Sequence, residues 1–230
     1  MSKIMSLQWV CPTCQTAQDV TLFESINLDR IPQQLPHLLD GSFERQTCGA
    51  CASAHRPEHG MLLTWPSRRV WLVMMPREAR EQFLPLEQQV SQRFAHERVQ
   101  LPAVVTPLLE GVRPQLVFGQ PCLSERLRVI RSGLEVAEVE CVKLLLYRRC
   151  LPQLFKFGPV ELLVERFGST GLMMGVFELK TLRRRLELEV SQALFDEVRA
   201  TREQFRQLYP SLYEQPYVSA SRCLFGERSA

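Results

Sequence analysis

The sequence predicts an α+β protein in two parts: a small N-terminal β module with a short inserted helix, and a C-terminal domain that mixes helices with a β-hairpin. Three observations predict this. Two Cys-x-x-Cys pairs fall within the first 51 residues, β-branched and aromatic runs flank turn residues around 60–75 and 159–179, and apolar residues recur at helical spacing between 77 and 149. With 230 residues, 45% of them hydrophobic, the chain can bury a core of ordinary size.

In the first section, residues 1–76, an extended lead-in Leu7–Val10 runs into the first cysteine pair, and Val20–Ile26 has the composition of a strand. A helix of about two turns is expected next, with Pro32 in its first turn, Leu35, Leu38 and Leu39 on one face, and Gly41 as its left-handed cap. After the second cysteine pair, Gly60–Trp65 and Arg69–Met75 read as a hairpin around Pro66-Ser67-Arg68, closing the module. Residues 77–100 read as a helical connector, with Leu86, Val90 and Phe94 at i, i+4, i+8 and a kink at Pro85.

Pro102, Pro107, Pro114 and Pro121 surround a short strand-like Leu116-Val117-Phe118, which places a domain boundary near residue 100 and a second domain over 101–230. There, Ser124 is expected to cap a helix bearing Leu127 and Ile130, Gly133 to turn the chain, and Glu135–Arg149 to form a second helix. Residues 159–167 and 172–179 flank Gly168-Ser169-Thr170-Gly171 and read as a hairpin. The stripe Leu182, Leu186, Val190, Leu194, Val198, Phe205 and Leu208 predicts one long helix over 180–208.

The chemistry concentrates in Cys11, Cys14, Cys48 and Cys51. A Cys-x-x-Cys pair holds two sulfurs at the right separation for a tetrahedral metal, and two pairs complete the coordination of one structural Zn2+. The 33 residues between Cys14 and Cys48 leave room for the expected strand and helix. Redox-active thiols and an iron or iron–sulfur site are the alternatives. His55 and His59 follow the second pair and are weighed as additional ligands, although four thiolates already close a zinc site. Gln15 and Ala52 stand where such knuckles commonly have glycine, a position that often needs positive φ, so they bear on how tightly metal is held. Cys122, Cys141, Cys150 and Cys223 lack close spacing and read as buried thiols. Trp9, Trp65 and Trp71 read as packing for a sheet with little core, with a partner-binding surface as the alternative.

The segments Cys11-Pro12-Thr13-Cys14, Ser25-Ile26-Asn27, Asp40-Gly41-Ser42-Phe43 and Cys48-Gly49-Ala50-Cys51 resemble the bacterial CpXC domain. Gln115–Gly119, Leu123–Leu134, Val136–Leu146 and Tyr217–Gly226 are similar to later parts of longer members. The resemblance implies a zinc-ribbon-like module with Cys11, Cys14, Cys48 and Cys51 as its ligands, and no particular activity.

Several function classes are disfavoured. There is no glycine-rich phosphate loop, no Gly-x-Ser-x-Gly and no His-Glu-x-x-His, and Glu135, Glu138 and Glu140 read as solvated helix-face charge. Residues 1–76 carry six basic and six acidic side chains, so the cysteine module lacks the basic footprint of a nucleic-acid binder. No segment approaches the roughly 20 apolar residues of a membrane span, and residues 1–10 contain no signal-peptide core, so a bacterial cytoplasmic location is expected. The expectation is a non-enzymatic, zinc-stabilised protein-interaction or assembly factor. The alternatives are a nucleic-acid-binding regulator using the Arg-rich segment 180–208, including Arg183-Arg184-Arg185, and, behind it, a thiol oxidoreductase.

Overall fold

The computed structural model describes residues 2–100, 106–150, 153–154, 156–168 and 171–225; Pro102, Ser169, Thr170 and Gly226 lie outside them. The fold is α+β, and the chain divides into two units, Met1–Ser124 and Glu125–Ala230.

The first unit is built on a five-stranded sheet in the order β1 (Lys3–Val10), β2 (Ala17–Asn27), β5 (Met61–Trp65), β6 (Val70–Met75), β7 (Pro114–Phe118). β1 and β2 pair antiparallel along the whole of β1, a strand twice the length of the expected lead-in. The helix α1 (Gln34–Asp40) ends where Gly41 takes φ 82°, the left-handed cap its sequence predicts. A two-stranded ribbon, β3 (Gln46–Thr47) and β4 (Ala54–His55), carries the second cysteine pair.

The hairpin β5–β6 forms around Pro66–Arg68 as expected. It does not close the cysteine module, however. Met61–Leu63 and Val70–Met74 are buried, and strands apolar on successive residues belong inside a sheet. β5 accordingly also pairs with β2 and β6 with β7, both in parallel.

Residues 77–100 start as a 3-10 turn over Arg77–Gln82 and continue as α2 (Phe83–Gln100). Pro85 sits in the first turn of α2, where its missing N–H costs no bond, so the break falls just ahead of it. The buried face is Phe83, Glu87, Val90 and Phe94. Where a boundary near residue 100 is expected, β7 instead joins β6 and brings 114–124 into the first unit. The helix α3 (Gly119–Ser132) starts a turn earlier than expected, with Pro121 in its first turn and Ser124 inside it, donating to the Leu38 carbonyl.

In the second unit, α4 (Val136–Arg149) packs with a three-stranded antiparallel sheet ordered β10 (Arg184–Ser191), β9 (Gly171–Glu178), β8 (Val160–Phe167). The hairpin β8–β9 matches the sequence expectation. The single helix expected over 180–208 does not form. Residues 184–191 are strand β10, followed by α5 (Gln192–Ala200) and α6 (Arg202–Leu208). The stripe Leu182, Leu186, Val190 has a spacing of four, which a strand of period two also satisfies, and Leu188 completes the alternation.

β8 is an edge strand, and side chains close its open side. Tyr147 on α4 donates its hydroxyl to the Val160 carbonyl (3.0 Å) and accepts the Leu162 N–H (3.1 Å), while Glu125 accepts the Val164 N–H (2.6 Å). Glu125 also bonds Lys143, which bonds Glu140 at 2.7 Å, and Glu140 accepts the Ala220 N–H. Glu140 is thus buried in an ion cluster rather than solvated, whereas Glu135 and Glu138 pair with Arg202 and Arg199 nearer the surface. No described helix is long and apolar enough to cross a membrane.

Candidate metal centre

Each Cys-x-x-Cys pair is the turn of a hairpin. Cys11–Thr16 connects β1 to β2, and Cys48–Ser53 connects β3 to β4. The two turns share one hydrogen-bond pattern. Cys11 N–H donates to the Thr16 carbonyl (3.0 Å) and Gln15 N–H to the Cys11 carbonyl (2.9 Å); Cys48 N–H donates to Ser53 (2.9 Å) and Ala52 N–H to Cys48 (2.9 Å). Gln15 and Ala52 occupy equivalent positions, at φ 61° and 59°. Both are therefore held in the left-handed region that glycine would occupy without strain.

The hairpins meet sulfur to sulfur. All four Sγ atoms lie within 4.8 Å of one another, with Cys11 and Cys51 at 3.8 Å and Cys14 and Cys48 at 3.6 Å. A metal bonded to four thiolates at about 2.3 Å requires sulfur–sulfur edges of about 3.8 Å, so the donor set fits one tetrahedral ion. Cys11 and Cys48 are buried, Cys14 is half-buried, and Cys51 is exposed.

Two hydroxyls flank the sulfurs at the same offset, two residues after the second cysteine of each pair. Ser53 lies 2.9 Å from Cys51 and 3.4 Å from Cys11, and Thr16 lies 3.4 Å from Cys14. The Ser53 hydroxyl and backbone N–H groups lower the Cys11 thiol to about 5, and the Thr16 hydroxyl with its backbone N–H lowers Cys14. Cys48 is instead pushed up to about 11. The N–H groups of Cys51 and Ala50 pull it down, and burial together with the sulfurs of Cys14 and Cys11 outweighs them. The sequence reading missed Thr16 and Ser53, whose signal was the shared register Cys-x-x-Cys-x-[Ser/Thr].

Neither histidine joins the sulfurs. The His55 ring is bonded to Thr13 Oγ1 at 2.8 Å and lies 6.2 Å from the Trp9 ring, so it braces the first hairpin from β4. His59 is buried beside Glu44, with Nε2 donating to the Phe23 carbonyl at 3.0 Å. Of the remaining cysteines, Cys141 is fully buried, its thiol raised to about 11 by burial, while Cys122, Cys150 and Cys223 are half-buried. Trp71 is core, and Trp9 and Trp65 are half-buried.

No curated protein and no solved structure matches this chain. The model of the family described as CpXC protein matches residues 10–143, a span that begins one residue before the first cysteine hairpin and ends within α4. That match covers more than half of the sequence and includes all four clustered cysteines, and the chain belongs to the CpXC family.

Proposed function

We propose that Cys11, Cys14, Cys48 and Cys51 bind one structural Zn2+, and that the protein is a non-enzymatic interaction or assembly factor of the bacterial cytoplasm. The observation that carries this reading is the closed set of four sulfurs at tetrahedral spacing. Four thiolates leave no open position for substrate or activated water, which a catalytic zinc requires. The ion's contribution is to tie the β1–β2 hairpin to the two-residue strands β3 and β4, which are too short to be stable alone.

Four of the six arginines of 180–208 are paired with carboxylates, which weighs against nucleic acid. Arg184 pairs with Glu165 (2.7 Å) and Glu187, Arg185 with Glu178 (2.9 Å), Arg199 with Glu138 (2.6 Å) and Arg202 with Glu135 (2.8 Å). Guanidiniums already answered by carboxylates offer little to phosphate.

The test is light scattering after chromatography of the zinc-loaded chain, alone and mixed with bacterial cytoplasmic extract, beside a Cys14→Ser/Cys51→Ser variant. A defined complex that forms with the loaded chain and not with the variant is expected. A monomer without partners under all conditions contradicts the reading.

A further inference from the structure

β1 is an outer strand of the five-stranded sheet, and its free edge is apolar. From Ile4 to Val10 it has no charged residue and no proline, and Ile4, Val10 and Leu7 are 61%, 49% and 36% exposed. Lys3, at its start, is committed to Glu24 at 2.6 Å. On β8 the open side is closed by Tyr147 and Glu125, whereas among the described residues nothing outside β2 hydrogen-bonds any of residues 4–10. An exposed apolar strand with an open edge is a template for another strand.

The hydrogen bonds of β2 show which groups of β1 point outward. The Phe23 N–H bonds the Glu44 carboxylate and its carbonyl accepts His59 Nε2 at 3.0 Å, so Phe23 turns both groups away from β1. Its partner Ile4 must do the same, and in an antiparallel ladder the pattern alternates. Ile4, Ser6, Gln8 and Val10 therefore present N–H and C=O to the open edge. The turn gives the same alternation from the other end, because Cys11 N–H is bonded to Thr16 at 3.0 Å and Val10, one residue earlier, is out of phase with it.

We propose that this edge pairs antiparallel with β1 of a second copy of the chain, about a two-fold axis at Leu7, so that the first-unit sheets of the two copies become one. That register sets Ile4 against Val10 and Ser6 against Gln8, and each of these pairs joins residues whose backbone groups point outward. On the other face Leu7 meets its own copy and Met5 meets Trp9. Apolar residues thus face apolar ones and polar residues polar ones, no charges oppose each other, and each outward N–H and C=O from 4 to 10 gains a partner. Sliding the strands by two residues either way sets Ile4 against Gln8 or Ser6 against Val10, so the symmetric register is the favoured one. Because the same patch is used on both copies, the assembly closes at a dimer. The interface is small, and a dissociation constant in the micromolar range is expected. The pairing is independent of the metal and of any partner in the cell.

Sedimentation equilibrium of the purified full chain, from about 1 to about 300 µM, tests it. The mass should rise from one chain to two and stop there. Gln8→Pro removes an N–H that the β1–β2 ladder does not use, so it should leave the hairpin intact and weaken the dimer at least about tenfold. Ser6→Lys/Gln8→Lys and Ser6→Glu/Gln8→Glu set like charges across the axis at two exposed positions, so each should be monomeric alone and the two mixed should form a heterodimer. A wild-type monomer throughout the range, a mass that grows beyond two chains, like-charged variants that still dimerise, or a mixture that stays monomeric would overturn the assignment.

Discussion

Replacing Ala52 by glycine should stabilise the metal-loaded N-terminal unit, although glycine normally destabilises a fold. Ala52 sits at φ 59° in the second cysteine hairpin, its N–H bonded to the Cys48 carbonyl at 2.9 Å, a bond that glycine keeps. The left-handed conformation costs an L-residue roughly 1–2 kcal/mol, and glycine's extra freedom in the unfolded chain costs roughly 0.5–1 kcal/mol. The net gain is about 0.5–1 kcal/mol. Gln15→Gly should gain slightly less, because its side chain also donates to the Pro12 carbonyl at 3.3 Å. The double variant should then gain about 1–2 kcal/mol, and chelator competition should show zinc held roughly five- to thirtyfold more tightly, since 1.4 kcal/mol is a factor of ten. All three tryptophans, Trp9, Trp65 and Trp71, lie in the first unit, so tryptophan fluorescence during urea unfolding reports on it alone. Gly49→Ala is the control: its φ is ordinary and nothing lies within 4 Å of the added carbon, so it should be neutral or slightly stabilising. Destabilisation by Ala52→Gly would refute the claim that these knuckles are strained.

Three further outcomes concern the second unit. Lys143→Met should cost roughly 3–5 kcal/mol in urea unfolding, because it leaves Glu125 and Glu140 buried without their cation; Glu125→Gln/Glu140→Gln should restore part of it. Tyr147→Phe should cost about 1–3 kcal/mol, since it strips the edge of β8 of partners for the Val160 carbonyl and the Leu162 N–H; circular-dichroism melts with no change would contradict that role. Glu125 is raised from 4.5 to about 7 by burial, one ammonium being shared between two carboxylates. The folded state therefore binds the proton more tightly than the unfolded state. The stability this supplies is full below about pH 4.5 and is lost as pH rises through about 7, at up to about 1.4 kcal/mol per unit. Urea midpoints at pH 5.5 and 7.5 should show the slope, and Glu125→Gln should flatten it.

Local signals in the sequence carried the parts that depend on local chemistry. Gly41 as a helix cap, Pro66–Arg68 as a hairpin turn and the paired cysteines are each legible because one residue type satisfies one geometric demand. Gln15 and Ala52 stood out for the same reason, and their φ values agree with the geometry expected of those positions. What escaped depends on partners distant in sequence. β7 pairs in parallel with a strand some 40 residues earlier, and such pairing leaves no turn signature. The spacing of four through Leu182, Leu186 and Val190 fits helix and strand equally, and only the available edge of β9 decides it. Glu140 looked solvated because its helix also carries Glu135 and Glu138, and its burial follows from Lys143 beside it and the Ala220 N–H from far along the chain.

The four clustered cysteines are proposed to hold one zinc ion. Native mass spectrometry of the purified chain, combined with thiol alkylation before and after chelation, tests it most directly. One zinc per chain is expected, with Cys11, Cys14, Cys48 and Cys51 protected until the chelator is added and becoming reactive as the tryptophan signal of the first unit changes. A chain purified without metal whose four cysteines cycle between thiol and disulfide would contradict it.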